Sequence, residues 1–531
     1  MIYLLLEDME RIIDKIENNG DLISVEKNLR LLASNYRTLQ VSELIDKTIE
    51  KCKFLDNKKI LVDLYGHKIL ILYNFGDKIQ TVSKLVDEMI SISKKINYKE
   101  GLAWAYSYVW YIEKLKGNVE SSIKALEKSN RILANIIHYD EYIYNFVKYS
   151  SAMEKWLKEH DASISESLEV SANYFFNNGF HRSFAQTIGF LSIVFMRTQE
   201  TKKGLRLLKN ILSNRLIFEN MPHDVKSIIY FFAGLVHLLD QNLYYSELFL
   251  TESYNYMKHT YKESIYFSNY IVMNSFLSTV TALQGRLEQA LDIIKEVDDL
   301  LKQEFFDKNL DFGTKKQIYH TLNLNKFYVY SRLKNFDSEE MLDLIEKIFM
   351  GCKTLYSDFM LLSEFILNAN LESGKMEELL SLENYSLNRI KHIILFVLQK
   401  NIRKEESNDW RYLQRIKILN NREKTKKTTF IENVFADLLI AQQLFSLKRY
   451  EEIYSLLRKY ETQLHRIEVL ELCIFMEAFI QVGAFKSGNP LGPALQYMAI
   501  KKCRNYGFSR LESKLLYYLD KQHRDIQLLI V

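Results

Sequence analysis

The sequence has 531 residues, and 47% of them are hydrophobic, which is enough for a large buried core. Only 3 are Pro and 17 are Gly. Residues that break helices are therefore scarce, which argues against turn-rich β structure and predicts an all-α protein. The 71 Lys and Arg nearly balance the 67 Asp and Glu, so the net charge of +4 gives no overall preference for nucleic acid or an anionic membrane.

The four cysteines lie far apart in the sequence and form no C-x-x-C pair. This pattern is typical of reduced thiols in a cytosolic protein and argues against a disulfide framework or a zinc site. No apolar run approaches the length of a membrane span, and the N-terminus lacks a basic leader. We therefore expect a cytoplasmic protein with no membrane partner.

The chain order of the predicted helices divides the sequence into four parts. Residues 1–58 are predicted to form an N-terminal helical cap, and residues 59–399 a solenoid of helix pairs. Residues 400–428 are predicted to be a basic linker or insertion, and residues 429–531 the C-terminal helical repeats and a second cap.

Within the predicted solenoid, short polar or Gly-containing turns recur about every 40 residues, which is typical of a solenoid whose units bury apolar faces only against their neighbours. Apolar residues at three- and four-residue spacing between the turns predict antiparallel helix pairs. The predicted pairs are 60–73 with 82–96, 102–115 with 119–137, 142–157 with a helix ending by 177, 181–197 with 202–213, 225–239 with 243–259, 264–283 with 287–305, and 317–333 with 339–354. A further helix is predicted at 359–371.

Small residues recur at fixed places across the turns, as in the pairs Ser192 and Gly204, Gly234 and Ser246, and Ser278 and Ala290. In this respect the units resemble tetratricopeptide repeats, in which small residues let the two helices of a unit approach closely. The resemblance covers residues 60–300 well and 315–480 loosely. The chain departs from that family in its longer period, its lack of helix-ending prolines and the large Ile453 opposite Ala441.

The resemblance implies that the first helix of each pair lines a concave groove that binds a protein or peptide. By the family's spacing, the groove positions include Trp104, Tyr111, Gln186, Phe231 and Leu235. The lysine and asparagine clamp of chaperone-binding members is missing there. The alternative is that such side chains, Phe231 and Leu235 above all, simply pack on neighbouring helices.

Asn323 and Asn325 are also candidate groove residues, because asparagine is poor in helix interiors. In the pheromone receptors that this arm resembles, groove asparagines hydrogen-bond the peptide backbone. The alternative is that these two residues cap the start of a helix after Gly313.

The sequence contains no catalytic motif and no pair of histidines spaced to bind a metal on a helix. We therefore expect a protein that is not an enzyme, with no catalytic residue, no metal site and no cofactor.

Residues 400–428 are the strongest anomaly in composition, because basic residues outnumber acidic ones and aromatic residues lie between them. Arg411, Arg415 and Lys417 fall on one predicted helix and could contact phosphates. The alternative is a flexible, protease-accessible linker.

Taken together, these patterns predict a non-catalytic scaffold, adaptor or signalling sensor that binds a protein or peptide on the concave face of a solenoid. The alternative is a ligand-sensing regulator that contacts nucleic acid through residues 400–428.

Overall fold

The structure is a computed structural model that describes most of residues 2–330 and 449–520. The first range has gaps at 37, 73–77, 138, 160–162, 199, 220, 241, 259–266, 305, 307–309 and 311, and the second at 468, 487 and 507. Between these ranges it describes residues 344, 433–434, 437–438, 440–441 and 444–445.

The helices are numbered in chain order through the described residues. They are α1 (Ile2–Asp14), α2 (Asn19–Asn35), α3 (Leu39–Phe54), α4 (Lys58–Leu72), α5 (Ile79–Lys95), α6 (Lys99–Leu115), α7 (Val119–Ala134), α8 (Glu141–Glu159), α9 (Ile164–Asn177), α10 (His181–Arg197), α11 (Thr201–Ser213), α12 (Arg215–Glu219), α13 (His223–Leu239), α14 (Leu243–Met257), α15 (Phe267–Leu283), α16 (Leu287–Lys302), α17 (Phe312–Tyr330), α18 (Tyr450–Leu457), α19 (Leu470–Lys486), α20 (Gly492–Tyr506) and α21 (Ser509–Asp520). A 3₁₀ helix, Arg458–Arg466, follows α18.

The predicted fold class is confirmed: the described residues form an all-α solenoid in which consecutive helices pack against one another. The pairs α4 with α5, α6 with α7, α8 with α9 and α10 with α11 all make contact. The predicted helices 339–354 and 359–371 and the segment 400–428 lie outside the described residues. In the part of the chain that is described, no helix is long and apolar enough to cross a membrane.

Glycines with positive φ form two of the turns that the sequence pattern marks. Gly117, between α6 and α7, and Gly285, between α15 and α16, both have φ of 82°. Glycine reaches this left-handed region without strain because it has no Cβ. The residue after each glycine closes the preceding helix, since Asn118 N–H donates to Glu113 O at 2.8 Å and Arg286 N–H donates to Thr281 O at 3.1 Å.

Small residues bring paired helices into close contact. A Cβ added to Gly204 of α11 would lie 2.9 Å from the backbone oxygen of Ser192 in α10. A Cβ added to Gly483 of α19 would lie 2.7 Å from the backbone nitrogen of Tyr454 in α18. At both places the backbones approach so closely that a larger residue would force the two helices apart.

The chain divides into two compact units. The first consists of Met1–Val236, Leu248–Asn274 and Asp298–Lys315, and the second of His237–Glu247, Ser275–Val297 and Lys316–Val531. In the first unit, α4 contacts α6, and α6 contacts α8. The rings of Tyr149 in α8 and Phe190 in α10 have centroids 6.5 Å apart. We call α4, α6, α8 and α10, the first helices of four consecutive pairs, the first-helix layer.

Replacing Gly204 with Ala is expected to destabilise the protein, even though Ala is the better helix former by about 1 kcal/mol. The added methyl group would press on the backbone of α10, which cannot move aside as a side chain can. Chemical denaturation should show a net loss of stability for Gly204→Ala. Lys209→Ala, at an exposed position of the same helix, is the control and should differ little from the wild type. A gain of stability in Gly204→Ala would contradict the close contact.

Candidate functional site

Helix α2 lies against the first-helix layer. It contacts both α4 and α10, and it hydrogen-bonds to α8. Its own residues define its start, because Asn18 Oδ1 accepts hydrogen bonds from the backbone N–H groups of Gly20 and Asp21, and the Asp21 side chain bonds back to the Asn18 N–H. This capping box stabilises the helix terminus locally. The 17 residues of α2 span about 25 Å.

The buried side of α2 carries a stripe of polar residues. Glu26, Arg30 and Ser34 are four residues apart and therefore share one face of the helix. Glu26 is 5% exposed, Ser34 is 0% exposed, and Asn35 beside it is 5% exposed. Apolar residues flank the stripe on the same buried side: Leu22, Val25, Leu29, Leu32 and Ala33. The contact of α2 with the protein thus combines ordinary apolar packing with a specific row of polar groups.

Arg30 is the central residue of this row. Its Nη1 lies 2.8 Å from Asp140 Oδ2, and its Nη2 lies 3.0 Å from Glu26 Oε1. The guanidinium carbon is 5.5 Å from the centre of the Tyr142 ring. Asp140 is itself held in place, since its other oxygen accepts a hydrogen bond from the Ile143 N–H at the start of α8. Arg30 therefore connects α2 to a fixed carboxylate immediately before α8, more than 100 residues away in sequence.

His67 of α4 provides the second contact with the row. Its Nε2 lies 2.8 Å from Glu26 Oε1, and its ring centroid is 5.3 Å from that of Trp104 in α6. Burial lowers the pKa of His67 more than the adjacent Glu26 raises it. The imidazole is therefore neutral, with the proton on Nε2 donated to Glu26.

Glu26 is ionised in spite of its burial. Burial by itself would raise the pKa of Glu26, but the hydrogen bond with His67 and the charge of Arg30 outweigh it and hold the pKa below its ordinary value. The pKa of Arg30 is raised, because the charges of Glu26 and Asp140 outweigh the cost of burial. The row thus contains an arginine cation between two carboxylates, with a neutral histidine at one end.

Asp63, on the same helix as His67, is a buried carboxyl that is protonated, in contrast to the ionised Glu26. Burial, and after it the negative charge of Glu26, raises the pKa of Asp63 to about 8. The Tyr98 hydroxyl donates to Asp63 Oδ1 at 2.8 Å, and burial together with Asp63 raises the pKa of Tyr98. At neutral pH, Asp63 is therefore protonated, and it adds no second negative charge beside Glu26.

The C-terminal end of α2 contacts α8 and the start of α10. The hydroxyl oxygens of Ser34 and Tyr142 are 2.9 Å apart. Asn35 Nδ2 donates to the backbone oxygen of Gly179 at 2.8 Å, and Asn35 Oδ1 accepts from the Arg182 N–H at 3.4 Å. We call the seven residues that join α2 to the layer the α2 polar network: Glu26, Arg30, Ser34, Asn35, His67, Asp140 and Tyr142.

The groups of the α2 polar network are suited to recognising one particular helix. Directional hydrogen bonds and ion pairs from three helices of the layer fix which residues of α2 face α4, α8 and α10. Because Glu26 and His67 are enclosed by protein, the charge of Glu26 acts directly on His67 and Arg30. Within the described residues, no group of three or more His, Cys, Asp or Glu side chains is placed to hold a metal ion.

Trp104 is the groove residue from the sequence analysis that lies beside the α2 polar network. It is fully buried, with its ring 5.9 Å from that of Tyr142. A Cβ added to Gly66 of α4 would lie only 2.4 Å from the Trp104 ring, so the glycine makes room for the indole.

The other predicted groove residues are spread over several helices. Tyr111 and Gln186 are half-buried, whereas Phe231 and Leu235 are buried, with exposures of 9% and 4%. The binding of a partner by any of these residues stays a prediction. Arg411, Arg415 and Lys417 lie outside the described residues.

Asn325 lies in the interior of α17, away from the helix start, and joins it to α15 in the second unit. Its Nδ2 donates to Ser275 O at 3.1 Å and lies 2.7 Å from Ser278 Oγ, and its Oδ1 accepts from Thr279 Oγ1 at 3.0 Å. Asn323, two residues earlier, is half-buried. The contribution of both residues to partner binding stays a prediction.

Sequence reasoning missed the α2 polar network, apart from the position of Trp104 beside it. One usable signal was the four-residue spacing of Glu26, Arg30 and Ser34 within a predicted amphipathic helix. A second was the lone His67 in the apolar stretch of α4. Neither signal identifies Asp140 or Tyr142 as the partners.

Comparison of the sequence with protein-family models gave no match. Comparison with curated proteins also gave none.

Removing the central arginine should destabilise the protein strongly. Arg30→Ala leaves Glu26 and Asp140 without their shared cation, and breaking a buried ion pair in this way costs about 3 kcal/mol or more. Lys27→Ala is the matched control, since Lys27 is a cation on the exposed side of the same helix, where substitutions change stability by about 0.5 kcal/mol or less. Equal denaturation midpoints for the two variants would contradict the placement of Arg30.

Asp63 should make stability depend on pH between about 4 and 8. The pKa of Asp63 is about 8 in the fold against 3.8 ordinarily, so the folded protein binds one proton more than the unfolded chain over this range. Stability relative to the neutral variant Asp63→Asn should therefore fall as pH rises, by up to about 1.4 kcal/mol per unit, and level off above pH 8. Urea denaturation of both proteins at several pH values measures the difference. A difference that does not change with pH would show that Asp63 ionises equally in both states.

Proposed function

We propose that this protein is a non-catalytic scaffold, adaptor or sensor that binds a protein or peptide along its first-helix layer. The observation that supports the proposal most is the way in which α2 is held against the first-helix layer. A helical segment is held there by side chains from α4 and α8 and by backbone groups at the start of α10. A surface that receives one helix with defined polar contacts has the chemistry that helix recognition requires.

Two further features support binding as the function. The all-α solenoid presents the first helices of successive pairs side by side, an arrangement that gives repeat proteins their extended binding surfaces. The resemblance to tetratricopeptide repeats points to the same layer. Tyr111 and Gln186 are half-buried positions of this layer, so a partner can reach them without unpacking the core.

We place the protein in the cytoplasm as part of this proposal. Cys52, Cys473 and Cys503 are free thiols. Burial raises the pKa of Cys52 to about 12 and the pKa of Cys503 as well. Protonated, enclosed thiols of this kind are unreactive and suit a reducing compartment.

The proposal is tested by isolating partners of the tagged full-length protein from its native cells, with nuclease added, and identifying them by mass spectrometry. We expect a protein or peptide partner whose recovery falls at least about tenfold for Tyr111→Ala with Gln186→Ala. Recovery should be unchanged for Arg411→Glu with Arg415→Glu. Circular dichroism of each variant checks that it folds.

The opposite pattern would support the nucleic-acid alternative. In that case a parallel isolation without nuclease would recover nucleic acid with the wild type and the layer variants and lose it with the arginine variants. Recovery of no partner that depends on Tyr111 and Gln186 would contradict the proposed binding surface.

A further inference from the structure

We propose that α2 is an internal occupant of the partner site, and that the partner is a helical segment that presents the same row of polar residues and competes with α2. This inference rests on the proposed function and specifies the class of partner. The matching partner helix carries a carboxylate, an arginine four residues later, a hydroxyl after four more, and an amide next to it, as Glu26, Arg30, Ser34 and Asn35 do in α2.

Helix α2 is encoded as a helix by its own residues. The capping box of Asn18 and Asp21 completes its N-terminus without help from the layer. At its other end, the Tyr36 N–H bonds to Leu32 O, and Thr38 begins the next helix by accepting from the Val41 N–H. A segment with complete ends keeps its helical form as a unit, which is what an exchangeable helix needs.

Helix α2 pairs with polar groups of the first-helix layer. Asp140 binds Arg30, His67 bonds to Glu26, and the Tyr142 hydroxyl bonds to Ser34. A helix that covered these groups without pairing them would leave them unsatisfied at a cost of about 1–3 kcal/mol each. The layer therefore discriminates against helices that lack these partners, and any helix that offers the same groups at the same spacing satisfies it equally.

The polar pairs define which helix can occupy the site while contributing little to net stability. A buried ion pair gains little over apolar residues of the same size, but a mismatched pair is strongly unfavourable. The row thus discriminates among the helices that could occupy the site. The apolar residues beside the row add a second requirement for binding. A competitor must also carry apolar side chains at the places of Val25, Leu29 and Leu32, all of them buried in α2.

Occupation by α2 has a predictable effect on affinity. Because α2 is tethered to the layer, its effective concentration there is high, in the millimolar range for short connections. A free partner helix therefore binds only to the fraction of molecules whose α2 has left, and its apparent affinity is reduced by that fraction. Weakening the contacts of α2 should increase the affinity for a partner without any change in the surface that the partner contacts.

The test uses a fluorescent peptide with the sequence of residues 18–36, which is titrated with the full-length chain. We expect the peptide to bind the Arg30→Ala chain at least about tenfold more tightly than the wild type, because the internal occupant is weakened while the peptide retains its arginine. The Lys27→Ala chain, altered on the exposed side of α2, should bind like the wild type. A peptide that itself carries Arg30→Ala should lose binding to every chain.

Ser34→Ala is a second, milder variant that removes only the hydroxyl contact with Tyr142, and it is used if circular dichroism shows that Arg30→Ala is unfolded. Tighter peptide binding by either folded variant supports the inference. Equal binding by wild-type and variant chains, or no binding by any of them, overturns it. The proposed function is judged separately, because a partner that depends on Tyr111 and Gln186 can be isolated whether or not the α2 peptide binds.

Discussion

The pairing of the half-buried Arg30 is the constraint on which the arrangement of the N-terminal part depends. A guanidinium ion that is largely removed from water must have carboxylates beside it, because an unpaired charge there would cost several kcal/mol. Glu26 on its own helix supplies one carboxylate, and Asp140 at the start of α8 supplies the other. Burial, together with the charge of Glu26, in turn keeps Asp63 protonated, and Glu26 accepts a hydrogen bond from His67. The ionisation states of Asp63 and His67 in α4 thus depend in part on the position of one helix.

This arrangement adds contacts between residues far apart in sequence to a fold in which helices otherwise contact mainly their neighbours. Helices in a solenoid contact mainly their neighbours in sequence, so each pair can move relative to the next. Helix α2 instead joins residues separated by 41, 108, 110 and 147 positions. It therefore connects α4, α8 and α10 directly, and displacement of α2 would release all three helices at once. That coupling would give a binding event at the first-helix layer an effect on several repeats.

Some features of the fold follow from the local periodicity of the sequence, whereas others depend on which distant residues meet in the structure. The recurring turns and the spacing of apolar residues predicted the helix pairs because both are local properties, as Gly117 and Gly285 show with their positive φ. The same periodicity placed Trp104 on a first helix but did not show that it is covered, since its burial depends on Gly66 and on Tyr142. The bonding of Asp140 with Arg30 could not be predicted, because one sequence contains no information on which distant charges meet. Similarly, Asn325 was noticed as an unusual helical asparagine, but its bonds to Ser275, Ser278 and Thr279 became evident only in the fold.

The most direct test of the account is the coupling energy between Ser34 and Tyr142, whose hydroxyl groups are 2.9 Å apart. A double-mutant cycle with Ser34→Ala and Tyr142→Phe removes one hydroxyl at a time and leaves the charges in place. If α2 lies on the first-helix layer as described, the free energies of unfolding should be non-additive by about 1 kcal/mol. Additive effects within about 0.3 kcal/mol would show that the two residues do not meet and would contradict the placement of α2.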